Sequence, residues 1–185
     1  MATLFFLVNT LLTIALYIII LRIWMQFVRV NPYNPFTQFI IKVTQPIIGS
    51  LRKIIPSIGR IDTASFILLY IIALCKTLFI MLSIYANAPK WDFYYLILAL
   101  ATIAHAIGHL IFWMLLIRAI LSWISRGQSL AEDLLYQLTE PLVAPVRRII
   151  PPLGMIDLSF MVIVFILIFL NVLGTELFNY FWLNL

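Results

Sequence analysis

Residues 139–157 read TEPLVAPVRRIIPPLGMID, and residues 44–62 read TQPIIGSLRKIIPSIGRID. Set 95 residues apart, nine of the nineteen positions are identical, among them Thr44 and Thr139, Pro46 and Pro141, Arg52 and Arg147, Gly59 and Gly154, and Asp62 and Asp157. Upstream the offset becomes 96 and pairs Arg22 with Arg118. The chain is therefore a duplication, with a first unit over residues 1–88 and a second over 89–185.

What surrounds the two copies decides what kind of fold is duplicated. Hydrophobic residues make up 64% of the 185 and charged residues 10%, with a mean hydropathy of +1.11. A soluble domain carries about 25% charged residues, so this composition belongs to a membrane protein. Four apolar stretches run from Thr3 to Leu21, Thr63 to Ile84, Tyr95 to Ile117 and Leu158 to Phe181. Each is near or above the about 20 residues that carry an α-helix across about 30 Å of hydrocarbon. The expectation is an all-α membrane protein with four transmembrane helices. Each unit crosses twice, so the two units share one orientation and are related by an axis along the membrane normal, as parallel repeats.

The basic residues set the orientation. The connections from Val30 to Ile61 and from Ser125 to Ile156 hold Arg52, Lys53, Arg60, Arg126, Arg147 and Arg148, whereas the turn from Asn87 to Asp92 holds only Lys90. The positive-inside rule then makes the long connections cytoplasmic and both termini periplasmic. Tyr85, Trp91, Tyr94, Tyr95, Tyr180 and Trp182 read as an outer aromatic belt, and Trp24 and Trp123 as an inner one. The apolar N-terminus lacks a basic n-region and a small-residue cleavage site, so it reads as a retained helix. The net charge of +5 sits at the ends of apolar runs. Such placement suits anionic phospholipid headgroups and gives no case for nucleic acid. The single cysteine, Cys75, lies in an apolar run and forms no framework.

Each cytoplasmic connection carries a helical pattern. Phe36, Phe39, Ile40, Val43, Ile47, Leu51 and Ile54 recur at steps of three and four, as do Leu130, Leu134, Leu138, Leu142, Val146 and Ile149. Asn34 before Pro35 predicts one N-cap, and Ser129 with Glu132 three residues on predicts the other. Pro46 and Pro141 predict a kink or a restart inside each helix. The expectation is an amphipathic helix lying in the headgroup plane of each repeat, with Arg52, Lys53, Arg147 and Arg148 on anionic lipid. Ile-Ile-Pro then stops the helix, and Gly59 or Gly154 allows a positive φ. Asp62 or Asp157 caps the next span, alone or paired with Arg22 and Arg118; a functional carboxylate is the other reading of that position.

The second copy, extended to EPLVAPVRRIIPPLGMIDLS, closely resembles the signature of the YggT family of bacterial and plastid membrane proteins, and the first copy is a weaker version of it. The first copy departs at Gln45, Gly49, Ser50 and Ser57. The resemblance covers nearly the whole chain. It implies a bacterial inner-membrane protein, and it implies no enzymatic activity. Relatives are associated with osmotic-stress tolerance and ion balance, with cell division or nucleoid distribution, and with assembly of a haem-containing cytochrome complex.

Candidate chemistry lies inside the membrane. His105 and His109 are four apart and share a helix face. They read either as a metal site or as a pair of interhelical hydrogen bonds, and the second is favoured because no third ligand of suitable depth is visible. Both lie on one helix face, so they cannot take opposite axial positions of one haem iron without a second chain. The repeat offset brings Asn9 and Thr13 into correspondence with His105 and His109, and Lys76 with Asn171. A polar cluster of these six residues between the repeats is the expected site. Lys76 either snorkels outward, pairs with Glu176, or serves that site. No nucleophile motif, phosphate loop, paired catalytic carboxylates or cofactor motif is present, so no enzyme, cofactor or metal is expected. What the resemblance implies is osmotic-stress tolerance or ion balance, with a scaffold or assembly factor recruiting a membrane or cytoplasmic protein partner as the rival.

Overall fold

The computed structural model describes residues 2–55, 57, 62–84, 93–124, 129–150 and 158–185. The expectations for Gly59, Arg60, Tyr85, Lys90, Trp91, Arg126, Gly154 and Asp157, and for the side chains of Trp123 and Tyr180, fall outside the described residues. Six helices follow in order: α1 (Ala2–Val28), α2 (Pro35–Arg52), α3 (Thr63–Ile84), α4 (Tyr94–Ile124), α5 (Leu130–Ile149) and α6 (Leu158–Leu183). The described residues form no strand. Four of the helices are long and apolar enough to cross a membrane, over Thr3–Val28, Thr63–Ser83, Tyr94–Ser122 and Leu158–Asn179.

Two of these spans outrun the apolar stretches that announced them. Arg22 and Arg118 look like helix ends in the sequence, yet α1 continues to Val28 and α4 to Ile124. The reason is that neither guanidinium is left to the hydrocarbon. Arg22 donates to the hydroxyl of Thr44, to the Ile41 carbonyl at 3.2 Å and to Gln45 Oε1 at 3.0 Å. Arg118 donates to Thr139 Oγ1 at 2.6 Å and Glu140 Oε2 at 3.2 Å. Since Thr44 and Gln45 correspond to Thr139 and Glu140, the same fork clamps α2 to α1 in the first unit and α5 to α4 in the second. A planar guanidinium with fixed donors suits this two-point grip in a way an ammonium does not.

α1 ends on Arg29 in the left-handed region, φ 58°, with the Val30 N–H closing back on the Met25 carbonyl at 3.1 Å. That terminal loop turns the chain into α2. The predicted caps are in place: Asn34 Oδ1 accepts from the Phe36 N–H at 2.9 Å with Pro35 in the first turn, and Ser129 Oγ accepts from Glu132 at 3.0 Å. Neither internal proline restarts its helix, because α2 runs on through Pro46 and α5 through Pro141 and Pro145. The face of α2 that packs on the bundle is not the apolar stripe that the sequence assigns to the headgroup plane. Thr37, Ile40, Thr44 and Ile48 are buried, while Phe36, Phe39, Val43, Ile47 and Ile54 are exposed. Satisfying Arg22 requires Thr44 to face the bundle, and that rotates the aromatic ridge aside.

α3 packs between α1 and α4, and α6 packs on α4 and α5. Small residues make the close approaches possible: Ala73 and Ala99 are fully buried, and Thr77 and Thr102 meet hydroxyl to hydroxyl at 3.0 Å across α3 and α4. In a lipid solvent, close packing of small residues and such short polar bridges are what hold helices together. The main core gathers Leu16, Ile19 and Ile20 of α1, Leu110 and Leu115 of α4, Ile48 of α2, and Leu138 and Val143 of α5.

Candidate functional site

Lys76 is the focus of the interior. It lies within the second span, on α3, is 2% exposed, and is placed against α1. Its ammonium donates to Thr13 Oγ1 at 2.8 Å and to the main-chain oxygen of Leu185 at 2.7 Å. It neither snorkels outward nor pairs with Glu176, which is exposed. The partner from Leu185 exists because α6 does not continue straight. Asn179 adopts φ 49°, ψ −129°, and the chain turns back there. Asparagine tolerates positive φ better than most residues. The reversal lays Trp182 on Gly174, where a side chain would have left no room: a Cβ built on Gly174 falls 2.2 Å from Trp182 Cε2.

Trp182 gathers two more of the expected residues. Its indole N–H donates to Asn171 Oδ1 at 2.9 Å, and its ring stands edge-on to His105 with centroids 4.9 Å apart. His105 and His109 stack on one face of α4, with centroids 6.0 Å apart. His109 turns to α1: its Nδ1 lies 2.6 Å from the Tyr17 hydroxyl, and its Nε2 accepts from the Trp113 N–H at 3.4 Å. An indole only donates, so Nε2 is the acceptor; in neutral imidazole the proton then sits on Nδ1 and points to Tyr17. That is an interhelical hydrogen bond, the favoured of the two expectations for this histidine. Among the described residues no three His, Cys, Asp or Glu side chains gather as a metal site would require.

Of the six expected cluster residues, Thr13 and Lys76 are bonded directly, and His105 and Asn171 share Trp182. His109 is held by Tyr17, and Asn9 Oδ1 is buried without a hydrogen-bond partner among the described residues. Sequence reasoning missed Tyr17 and Trp182. Tyr17 follows Thr13 by one helical turn and so shares its face, a signal that was available. The sequence places Trp182 in the outer aromatic belt, and only the reversal at Asn179 brings it inward. Beside the cluster, α4 and α6 leave a groove of 840 Å³ lined by Ala104, His105, Gly108, Leu167, Asn171 and Trp182 among others.

At the other end of the bundle the charged residues are mutually engaged. Asp62 precedes α3, accepts from Arg52 at 2.6 and 3.1 Å and from Ser65 Oγ at 2.6 Å, and is 3% exposed. Its ion pair is with Arg52 and not with Arg22. Burial pushes the Asp62 carboxyl up, but the hydrogen bonds from Arg52 and Ser65 and the charges of Arg52 and Arg22 outweigh it, and the carboxyl is held below its ordinary range. The same hydrogen bond raises Arg52. In the second unit Glu140 bridges Arg118 at 3.2 Å and Arg147 at 2.8 Å. Thus Arg52 and Arg147 serve the fold, while Lys53 and Arg148 are exposed.

The family model described as CCB3/YggT matches residues 1–83 and 97–178, one segment in each repeat. The chain belongs to the CCB3/YggT family. It is 45% identical over 180 residues to the "uncharacterized protein in proC 3'region" of Vibrio alginolyticus, covering 97% of each chain. To the "uncharacterized protein YggT" of Escherichia coli K12 it is 43% identical over 171 residues, covering 92% of this chain and 88% of the other. An uncharacterized protein of Pseudomonas aeruginosa is 34% identical over 155 residues, 83% and 79% of the two chains. No solved structure matches. The names of these CCB3/YggT relatives assign no activity.

Proposed function

We propose that the chain is a non-enzymatic, multi-pass protein of the bacterial inner membrane that acts in osmotic-stress tolerance or ion balance through the polar cluster around Lys76. The single observation that carries this reading is a lysine 2% exposed within a membrane span and held by a threonine hydroxyl and a main-chain oxygen. Ionisable groups at such depth are costly, and function is the usual reason that they are kept. In this reading both termini are periplasmic, the two units are parallel repeats, and α2 and α5 lie as proline-kinked helices at the cytoplasmic boundary. A fixed ammonium in the interior disfavours a cation path, which would need carboxylates or carbonyls along it.

The test is complementation of a deletion strain after hyperosmotic shift. Lys76→Leu and His105→Leu are expected to abolish protection while the protein still accumulates in the membrane and purifies folded, and Lys76→Arg is expected to be milder. Full complementation by both leucine variants would show that the cluster only packs helices. It would then favour a scaffold or assembly factor for cell division or haem-protein maturation. One observation supports that second reading: the outward face of α5 is polar and of mixed charge, with Asp133, Tyr136 and Arg148 exposed.

A further inference from the structure

The two surface helices occupy equivalent places, yet they do not present equivalent surfaces. At the offset of 95, Thr44 and Thr139 are both buried, and so are Ile48 and Val143. One ridge over, the copies part. Phe39 is 57% exposed and its counterpart Leu134 is 4% exposed; Val43 is 45% exposed and its counterpart Leu138 is 1% exposed.

The cause is α1. Its cytoplasmic end and the connection after it lie over α5: Trp24 Nε1 donates to the Leu138 carbonyl at 3.0 Å, the Asn31 N–H to Gln137 Oε1 at 3.1 Å, and Asn34 Nδ2 to the Leu130 carbonyl at 3.0 Å. α2 packs on α1 and α3, and these leave Phe36, Phe39, Val43 and Ile47 exposed along one ridge. Charge divides the same way. From Pro35 to Lys53 the first copy carries Lys42, Arg52 and Lys53 and no acid, whereas from Leu130 to Ile149 the second carries Glu132, Asp133 and Glu140 against Arg147 and Arg148.

We infer that the duplicated surface helix has divided its roles, and that α2, not α5, docks on the anionic inner leaflet of the bilayer. Phe36, Phe39, Val43 and Ile47 enter the boundary between headgroups and acyl chains, and Lys42 and Lys53 meet the phosphates. Three features select a lipid surface as occupant. The ridge is aromatic and aliphatic, and its flanks are basic without an acid, which is the chemistry that anionic headgroups over hydrocarbon complement. α2 also follows α1 after six residues, so it stays at the membrane boundary that α1 crosses. The ridge is continuous with lipid-type exposure on either side, Phe27 at 86% and Ile54 at 80%. The inference rests on the four spans and on the orientation that puts α2 at the cytoplasmic boundary, and is independent of the role proposed for Lys76.

The test uses the full chain in nanodiscs, with Cys75 replaced by serine and a nitroxide on single cysteines at matched positions. Phe36→Cys and Ala131→Cys form one pair, both exposed, so neither disturbs the core. Phe39→Cys and Leu134→Cys form the other. Collision with oxygen, which concentrates in lipid, is compared with collision with a water-soluble nickel chelate. In discs containing phosphatidylglycerol, the oxygen-to-nickel ratio is expected to be several-fold higher at residues 36 and 39 than at 131, with the label at 134 shielded from both probes. Discs of phosphatidylcholine alone, or Lys42→Gln with Lys53→Gln, should lower the ratio at 36 and 39. Equal ratios at 36 and 131 would overturn the division between the helices. Shielding of residues 36 and 39 from both probes would mean that a second copy or another protein covers α2. Ratios indifferent to phosphatidylglycerol would remove the anionic leaflet as the partner.

Discussion

Replacing Gly174 by alanine tests the interior more sharply than any change of charge. The added Cβ would lie 2.2 and 2.3 Å from Trp182 Cε2 and Cζ2, whereas ordinary contact begins at 3.4 Å. The ring must therefore retreat by about 1.2 Å, since neither the helix backbone nor a rigid bicycle compresses. Trp182 cannot do so and keep its bond to Asn171, now 2.9 Å, or its edge contact with His105. Overpacking of this kind costs about 1–3 kcal/mol, and the lost hydrogen bond about 1 kcal/mol more. Gly174→Ala should thus destabilise the fold by roughly 2–4 kcal/mol. Gly108 is the internal control, because a Cβ there meets Leu167 Cδ2 at 4.0 Å, and Gly108→Ala should be nearly neutral. Thermal unfolding in nanodiscs reads both. Adding Trp182→Leu to Gly174→Ala should recover part of the loss, since the smaller side chain gives way. Equal stability of the two alanine variants would refute the fold-back of the chain at Asn179.

Further outcomes concern the end of the bundle that carries Asp62 and Arg118. Asp62→Asn should cost about 1–2 kcal/mol, a figure kept low because Arg52 is partly solvated. Asp62 is lowered on folding, so its contribution is present above the unfolded value near 3.9 and disappears as pH falls through the lower folded value. The asparagine variant should accordingly lose that part of the acid limb in a pH titration of stability, and an unchanged limb would exclude Asp62 as its source. Arg118→Lys exchanges a two-point fork for a point charge and should lower the melting point by the equivalent of about 1 kcal/mol; no change would mean that the fork is idle. Tyr17→Phe removes only the hydroxyl beside His109, for which about 0.6 kcal/mol is the usual membrane value, measurable against wild type by the same unfolding assay. Reporters active only in the periplasm should work after Ala88 and Leu185 and stay silent after Arg60 and Gln128, and the reverse pattern would invert the orientation.

What the sequence made legible was local or repeated. Asn34 with Pro35, and Ser129 with Glu132, announce caps within four residues. The pairing of Thr13 with the neighbourhood of Lys76 came from the duplication. The ends of α1 and α4 were illegible because the side chains that satisfy Arg22 lie 22 and 23 residues away, and those that satisfy Arg118 lie 21 and 22 residues away, on another helix. An apolar stripe says that a surface helix has a buried side, but Phe39 and Leu134 have the same pattern and opposite burial, since only tertiary contact with α1 decides between them. The inward turn of Trp182 depends on one backbone conformation at Asn179 and on the missing side chain of Gly174. Neither carries a periodicity.

The bonds of Lys76 also impose an order in time. Thr13 precedes the lysine in the chain, so that hydroxyl is already made when α3 enters the membrane. Leu185 follows by 109 residues. At about 5–20 residues per second of synthesis, the ammonium waits on the order of 5–20 s for its second oxygen. During that interval the lysine-bearing helix sits in the bilayer beside α1 with half of its final coordination. Closure of the interior thus comes well after the insertion of α3, and it is made by a segment that has to turn back at Asn179 to reach it.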